Sequence, residues 1–191
     1  LRLLFNRGFS PDTLTKWGIG YDGHSRRLSI PFRNVEGNLV GFKGRSTKRY
    51  DKPKYVGIGD KSDKKYYGFS TVKTSNYIFG LNSASGDAII VEGEFDAISL
   101  RERGFPGAVA IGGSNISDKQ LLSLKRQFPR ITTLFDPDDA GRKAERFLSK
   151  NLISSIPVSI ARLENNDPAD SSTQEIEYAI EQAKSAIEIT N

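Results

Sequence analysis

The residues best suited to chemistry in this chain are carboxylates. Asp136-Pro137-Asp138-Asp139 places three acids in four positions, and Ala140-Gly141 follows. Like charges packed this closely repel one another unless a cation sits among them, and hard Mg²⁺ takes oxygen ligands of this kind. Acids also suit the start of a helix, so Asp138 and Asp139 would serve as caps. A cap needs one acid, and here there are three; on this stretch alone both readings stand. A second acidic run is Glu92-Gly93-Glu94 with Asp96 behind it, and a third is Asp167-Pro168-Ala169-Asp170. Glu94 and Asp139 read as helix-start acids, whereas Asp96 fits a cap and a ligand equally well. The chain has no Cys and a single His, His24, so a zinc site cannot be assembled from it. Oxygen ligands alone favour Mg²⁺ or Mn²⁺. Two such ions, about 3.5–4 Å apart, would activate an attacking oxygen and stabilise a leaving one in phosphoryl transfer.

These acids need elements that bring them together. Ala88-Ile89-Ile90-Val91 reads as a short buried strand ending at Glu92, and Ile131-Thr132-Thr133-Leu134-Phe135 as another ending at Asp136. Ala108–Ile111 and Pro157–Ala161 read as further strands, with the Gly112-Gly113-Ser114 loop after the first. Helical spacing follows each strand: Phe95 and Ile98; Leu121, Leu124 and Phe128 behind a Ser117/Gln120 capping box; Ala144, Phe147 and Leu148; Ile176, Ala179 and Ile180 behind Ser172 and Glu175. Strictly alternating strands and helices predict a parallel sheet with helices on its faces. Glu92 and Asp136 lie 44 residues apart, room for one further β-α unit, so neighbouring strands would deliver both to the carboxyl edge. Ligands bind at that edge in open α/β sheets.

The front of the chain differs. Residues 1–70 hold 15 Lys and Arg against 6 Asp and Glu, while 71–191 hold 13 against 17. Such a layout suits phosphate-rich partners. Ser10-Pro11-Asp12 starts a helix that Gly18 and Gly20 end, with Leu14 and Trp17 expected in a core. Arg27–Phe32 and Leu39–Phe42 predict a hairpin, and Pro31 predicts an edge strand. Residues 43–67 interleave Lys43, Arg45, Lys48, Arg49, Lys52, Lys54, Lys61, Lys64 and Lys65 with Tyr50, Tyr55, Tyr66 and Tyr67. That pattern suits backbone contact with base stacking, and it equally suits a solvated loop. The division is expected near residue 80: a smaller basic α+β part over 1–80 and an α/β part over 81–191. In all, 191 residues with 37% hydrophobic and 27% charged content describe a globular protein, with no apolar run of membrane-spanning length. The absence of Cys is compatible with the cytoplasm, and the absence of Met, even at position 1, suggests an excised fragment.

Val91-Glu92-Gly93 with Asp96, followed by Asp136-Pro137-Asp138-Asp139-Ala140-Gly141, resembles the Toprim signature, a glutamate after an apolar strand and then D-x-D with a glycine behind it. Arg7–Asp12, Gly18–Tyr21, Arg27–Arg33, Gly41-Phe42-Lys43-Gly44-Arg45, Pro53-Lys54-Tyr55 and Tyr77–Leu81 are similar to the catalytic core of bacterial-type primases, and more to phage or plasmid ones than to chromosomal ones. The resemblance implies Glu92, Asp136 and Asp138 as catalytic acids and metal ligands, with Asp96 and Asp167 as supporting metal ligands. It implies Arg27, Arg45, Lys54, Lys43 and Tyr55 at template or nucleotide. It further implies RNA primer synthesis from ribonucleoside triphosphates on single-stranded DNA, in a bacterial cytoplasm or nucleoid. A replicative helicase and a zinc-binding domain, neither within these residues, would be partners. The family pattern after the fourth strand is D-P-D, and Asp167-Pro168-Ala169-Asp170 departs from it by one inserted residue. Two alternatives remain open: a Toprim nuclease or topoisomerase-like strand cleaver using the same acids, and a non-catalytic single-stranded-DNA-binding module.

Overall fold

A computed structural model of the chain describes residues 2–47, 54–58, 73, 76–113, 115–164 and 167–190. The chain divides into two units, residues 1–74 and 75–191. Most of the basic stretch, including Lys48, Arg49, Lys52, Lys61, Lys64 and Lys65, and Ser114 of the glycine loop, lie outside the described residues.

The first unit opens with a short helix α1 (Arg2–Phe5) and helix α2 (Pro11–Lys16). Ser10 caps α2 as expected, its hydroxyl accepting from the Thr13 amide at 3.0 Å. Leu14 is buried, but Trp17, expected in the core, is only half-buried at the helix end. Four antiparallel strands follow in the order β1 (Gly20–Asp22), β2 (Arg27–Arg33), β3 (Leu39–Ser46) and β4 (Tyr55–Ile58). The expected hairpin is β2–β3. Pro31 does not mark an edge strand, since β2 has β1 on one side and β3 on the other. The proline is tolerated because β1 pairs only as far as Ser29, so at Pro31 one side of β2 has already lost its neighbour.

The second unit is α/β. Its sheet runs β6-β5-β7-β8-β9, built from β5 (Ala88–Val91), β6 (Ala108–Ala110), β7 (Ile131–Thr133), β8 (Val158–Ile160) and β9 (Lys184–Ser185). The four predicted strands are parallel, and β7 and β8 are shorter than their apolar runs. The fifth strand, β9, is antiparallel, so the sheet is mixed rather than purely parallel. Two residues of Lys-Ser carry no periodicity, which is why β9 escapes a reading of pattern. The helices are α3 (Glu94–Glu102), α4 (Asp118–Gln127), α5 (Asp139–Leu152), α6 (Thr173–Glu181) and α7 (Ala186–Thr190). Both capping boxes form, at Ser117/Gln120 and at Ser172/Glu175. Gln120 is wholly buried, and its amide donates to the Tyr77 and Ile111 carbonyls at 2.8 and 2.9 Å.

One core cluster joins Ile90, Val109, Ile131 and Ile160 to Leu124 of α4 and Leu148 and Leu152 of α5. The connection β5-α3-β6 steps to one side of β5, and β6-α4-β7 returns past it to the other side. Right-handed crossovers then put α3 on one face and α4 and α5 on the opposite face. Among the described residues no helix is long and apolar enough to cross a membrane.

Candidate active site

The reversal of winding has a chemical consequence. Strand β5 hands on to a helix on one face and its neighbour β7 to a helix on the other, so their carboxyl ends flank the crevice where the sheet switches direction. Glu92 is the residue after β5. The Leu134 amide donates to the Ile90 carbonyl at 2.9 Å, which extends the pairing past β7 and sets Asp136 beside Glu92. The Gly112 amide donates to the Glu92 carbonyl at 2.9 Å, tying the exit of β6 to the same spot.

Glu92 is half-buried, and its Oε1 is enclosed with no hydrogen-bond partner among the described residues. Burial, reinforced by the negative charges of Asp136 and Asp138, pushes its carboxyl from 4.5 up to about 7. A hydrogen bond from the Asp136 backbone only partly opposes this. Asp136 is half-buried and its Oδ1 is also enclosed. Asp138 is exposed and is the N-cap of α5, its Oδ1 accepting from the Gly141 amide at 2.7 Å. A carboxylate that caps with one oxygen keeps the other, so capping and ligation are compatible at Asp138. Asp139 is the exposed helix-start acid, paired with Arg142 at 2.9 Å. Arg142 also donates to the Pro137 carbonyl at 2.8 Å and pins the loop from behind.

Gly141 closes the arrangement. A Cβ there would collide with the Asp136 carbonyl and come within 2.6 Å of Glu92 Oε1. Only a glycine allows α5 to start this close to both acids. Gly93 does the same for Asp96, whose carboxylate occupies the space a side chain at position 93 would need. Asp96 is thus folded back against its own loop and is buried. Glu94 stands in the first turn of α3 as expected, yet it is 1% exposed, a burial that a helix-start acid in solvent does not predict.

Asp167 is half-buried, and its Oδ1 accepts from the Asp170 amide at 2.9 Å, so it shapes its own turn. Arg103, the C-cap of α3, reaches that turn and donates to the carbonyls of Ala169, at 2.8 Å, and Ser171. Glu92, Asp136 and Asp138 come together; Asp96 lies against Gly93, the residue after Glu92, and Asp167 shapes the turn after β8 with one of its oxygens. Among the described residues no three His or acidic side chains stand close enough to hold an ion as placed. The donor set nevertheless fits Mg²⁺ or Mn²⁺: all oxygens, one enclosed and unsatisfied, in a crevice where burial, with the charges of two neighbouring acids, raises a carboxyl to about 7. Mg²⁺ keeps several waters and takes only one or two carboxylates, so it needs no closed cage.

In the first unit, Arg27, Lys43, Arg45 and Tyr55 lie on adjacent strands, and Lys54 directly precedes β4. Arg45 of β3 pairs directly with Tyr55 of β4, and Lys43 pairs with Gly57. Arg27 of β2 donates to the Lys54 carbonyl at 3.1 Å. The five do not share one face: Arg27 alternates with Leu28, which pairs with Arg45.

The Toprim domain family matches residues 86–164. The DNA primase of Aquifex aeolicus is 32% identical over 143 residues, covering 72% of this chain and 27% of the relative. That of Synechocystis is 37% identical over 136 residues, covering 66% and 20%. The chain therefore spans about a quarter of the length of these relatives. The crystal structure of the zinc-binding and RNA polymerase domains of the Aquifex aeolicus primase superposes with a TM-score of 0.82 at 24% identity, over 98% of this chain and 56% of that one. A DnaG primase catalytic domain bound to single-stranded DNA gives 0.76 at 20% identity, over 96% and 71%. Residues 86–164 are a Toprim domain, and the chain has the fold of a DnaG-type primase catalytic core.

Proposed function

We propose that the chain is the catalytic core of a DNA primase, making short RNA primers on single-stranded DNA. The observation that carries this reading is the nearness of Glu92 and Asp136 at the switch point, with an unsatisfied Glu92 oxygen enclosed beside Gly141 at the start of α5. In the reaction, the 3′-oxygen of one ribonucleotide attacks the α-phosphorus of the next triphosphate. A new P–O bond forms, the bond to pyrophosphate breaks, and the hydroxyl proton leaves to solvent.

Glu92, Asp136 and Asp138 would hold Mg²⁺ or Mn²⁺, which when bound supplies charge for the phosphates and activates the attacking oxygen. The protein's own part is positional. The Asp138 cap and the Arg142 contacts fix the loop that carries Asp136. Gly141 lets Glu92 and the loop meet. Asp96 and Asp167 act as supporting acids, one braced on Gly93 and the other shaping the turn held by Arg103. Residues 81–191 form the Toprim catalytic domain, and residues 1–80 form a basic subdomain that binds template and nucleotide. There Arg27, Arg45, Lys54, Lys43 and Tyr55 contribute charge and a ring. The DNA-bound relative supports the template, and the zinc-binding domain of the Aquifex relative supports a partner domain of that kind. A replicative helicase is a further partner, and a bacterial cytoplasm or nucleoid, in a phage- or plasmid-encoded system, the setting.

The test uses single-stranded DNA, labelled ribonucleoside triphosphates and Mg²⁺ or Mn²⁺, with wild type beside Asp136→Ala. Short RNA and released pyrophosphate from wild type alone are expected, with a zinc-binding domain supplied in trans if initiation needs it. Cleavage of the DNA instead would transfer the site to the nuclease reading.

A further inference from the structure

In an antiparallel pair, directly opposed residues share a face. Lys43 is opposed to Ile30, and Arg45 to Leu28. Leu28 and Ile30 are fully buried. Lys43 and Arg45 therefore stand on the face of the sheet that carries core residues, and Lys43 itself is only 6% exposed. A lysine kept for solubility would be on the other face, in water. Burying an ammonium is costly unless something nearby compensates its charge.

An aromatic ring contributes to that compensation. The Lys43 ammonium lies 4.3 Å from the centre of the Tyr55 ring, with the Lys54 ammonium at 5.6 Å and the Arg45 guanidinium at 5.9 Å. All three are within the roughly 6 Å over which the negative face of a ring attracts a cation. A carboxylate in that position would attract them more strongly, but it would also repel phosphate. A ring holds cations without adding a negative charge.

We infer that Tyr55 is a positioning residue, and that its ring seats Lys43, Arg45 and Lys54 so that they converge on one phosphate group. This rests on the proposed template- or nucleotide-binding role of the first unit, and it replaces base stacking as the task of Tyr55. The ligand chemistry is a phosphate ester or anhydride, from a DNA backbone or from a nucleoside triphosphate.

The two assignments for the ring predict different behaviour. A stacking ring would be felt by a base and not by inorganic tripolyphosphate. A cation seat would be felt by both and would depend on salt. The experiment measures binding of a fluorescent single-stranded oligonucleotide, and its displacement by tripolyphosphate and by ATP, across a salt series. The proteins are wild type, Tyr55→Leu, Tyr55→Phe, Lys43→Met and the Tyr55→Leu/Lys43→Met double variant. Tyr55→Leu is expected to weaken tripolyphosphate binding by about tenfold. Where DNA backbone is the ligand, the salt slope should fall by about 0.7, the loss of one phosphate contact on a single strand. Where the triphosphate is the ligand, ATP displacement should weaken while the DNA slope holds. Tyr55→Phe should rescue binding, because the ring is what matters, and the double variant should lose less than the sum of the two single losses, because the seat and one of the cations it seats act together.

Unchanged tripolyphosphate binding in Tyr55→Leu would overturn the inference, as would additive losses in the double variant or failure of Tyr55→Phe to rescue. A melting curve for each variant separates lost binding from lost folding; Lys43→Met, which keeps the ring and the apolar stem, carries the test if Tyr55→Leu unfolds. Because the readout is binding without turnover, the inference stands or falls separately from primer synthesis, which is read at Asp136.

Discussion

Glu92 and Asp136 leave adjacent parallel strands at the one point in the sheet where successive helices pass to opposite faces. Neither acid is remote from solvent, yet each has a carboxylate oxygen that is enclosed. Their nearness follows from strand order, and the charge problem follows from their nearness.

The burial of Glu92, reinforced by those charges, should show in the pH dependence of stability. With its carboxyl raised to about 7, Glu92 holds a proton in the folded protein that the unfolded chain, near 4.5, has released. Folding takes up this proton between those values, so Glu92 makes stability fall as pH rises from about 4.5 to about 7. Calorimetric melting in EDTA from pH 5 to pH 8 should show wild type losing more stability over that interval than Glu92→Gln. At pH 8, Mg²⁺ should raise the melting temperature of wild type and leave Glu92→Gln nearly unmoved. Parallel pH profiles for the two proteins would contradict the assignment.

Asp138 has two tasks that substitutions can separate. Asp138→Asn keeps an oxygen for the Gly141 amide and removes the charge, so melting should barely change while Mg²⁺ binding and primer synthesis fall together. Asp138→Ala removes the cap as well and should cost a further ~1 kcal/mol in denaturant unfolding. If Asn and Ala were equally stable, the cap would be of no energetic account.

Gly141→Ala sets two effects against each other. Inside a helix, alanine is favoured over glycine by about 1 kcal/mol. Here the added methyl meets the Asp136 carbonyl and Glu92 Oε1, and overpacking of this kind costs about 1–3 kcal/mol. The carbonyl is backbone and cannot swing away, so the net effect should be destabilising. The same displacement of Asp136 should lower primer synthesis more than it lowers the melting temperature. A stabilised Gly141→Ala protein would show that the loop yields easily.

Gln120→Leu tests a different element. It leaves the Tyr77 and Ile111 carbonyls without their buried donor, and the Ser117 amide without its acceptor at 3.0 Å. Unfolding free energy should drop by about 2 kcal/mol or more, an unsatisfied buried polar group costing about 1–3 kcal/mol.

Much of this arrangement is legible in the sequence. The apolar runs before Glu92 and Asp136 located two strands, and their spacing left room for the intervening unit. The capping pairs Ser117/Gln120 and Ser172/Glu175 formed as read, because both partners lie within one helical turn. What escaped was set by distant neighbours. Pro31 reads as an edge residue locally, but the length of β1 decides what it lacks. The burial of Glu94 and Lys43 is invisible in a pattern of charge, since it depends on what the sheet places opposite them. The insertion of Ala169 is visible in the sequence, but the turn it makes, in which Asp167 Oδ1 accepts from the Asp170 amide and Arg103 holds the carbonyls, depends on a helix end far away in the chain. The two-residue β9 has too little chain to show any alternation.

The margins of the five-stranded sheet have a further consequence. On one side, Phe79 bridges β6 at Ala110 in antiparallel fashion, with hydrogen bonds of 2.8 and 3.1 Å. On the other, the outermost strand is β9, two residues long and half of it lysine. Exposed strand margins invite other chains to add on and begin aggregates, and short, charged or covered margins refuse them. A unit with a short buried apolar strand, β5, in its interior is in this way kept from polymerising through its own backbone.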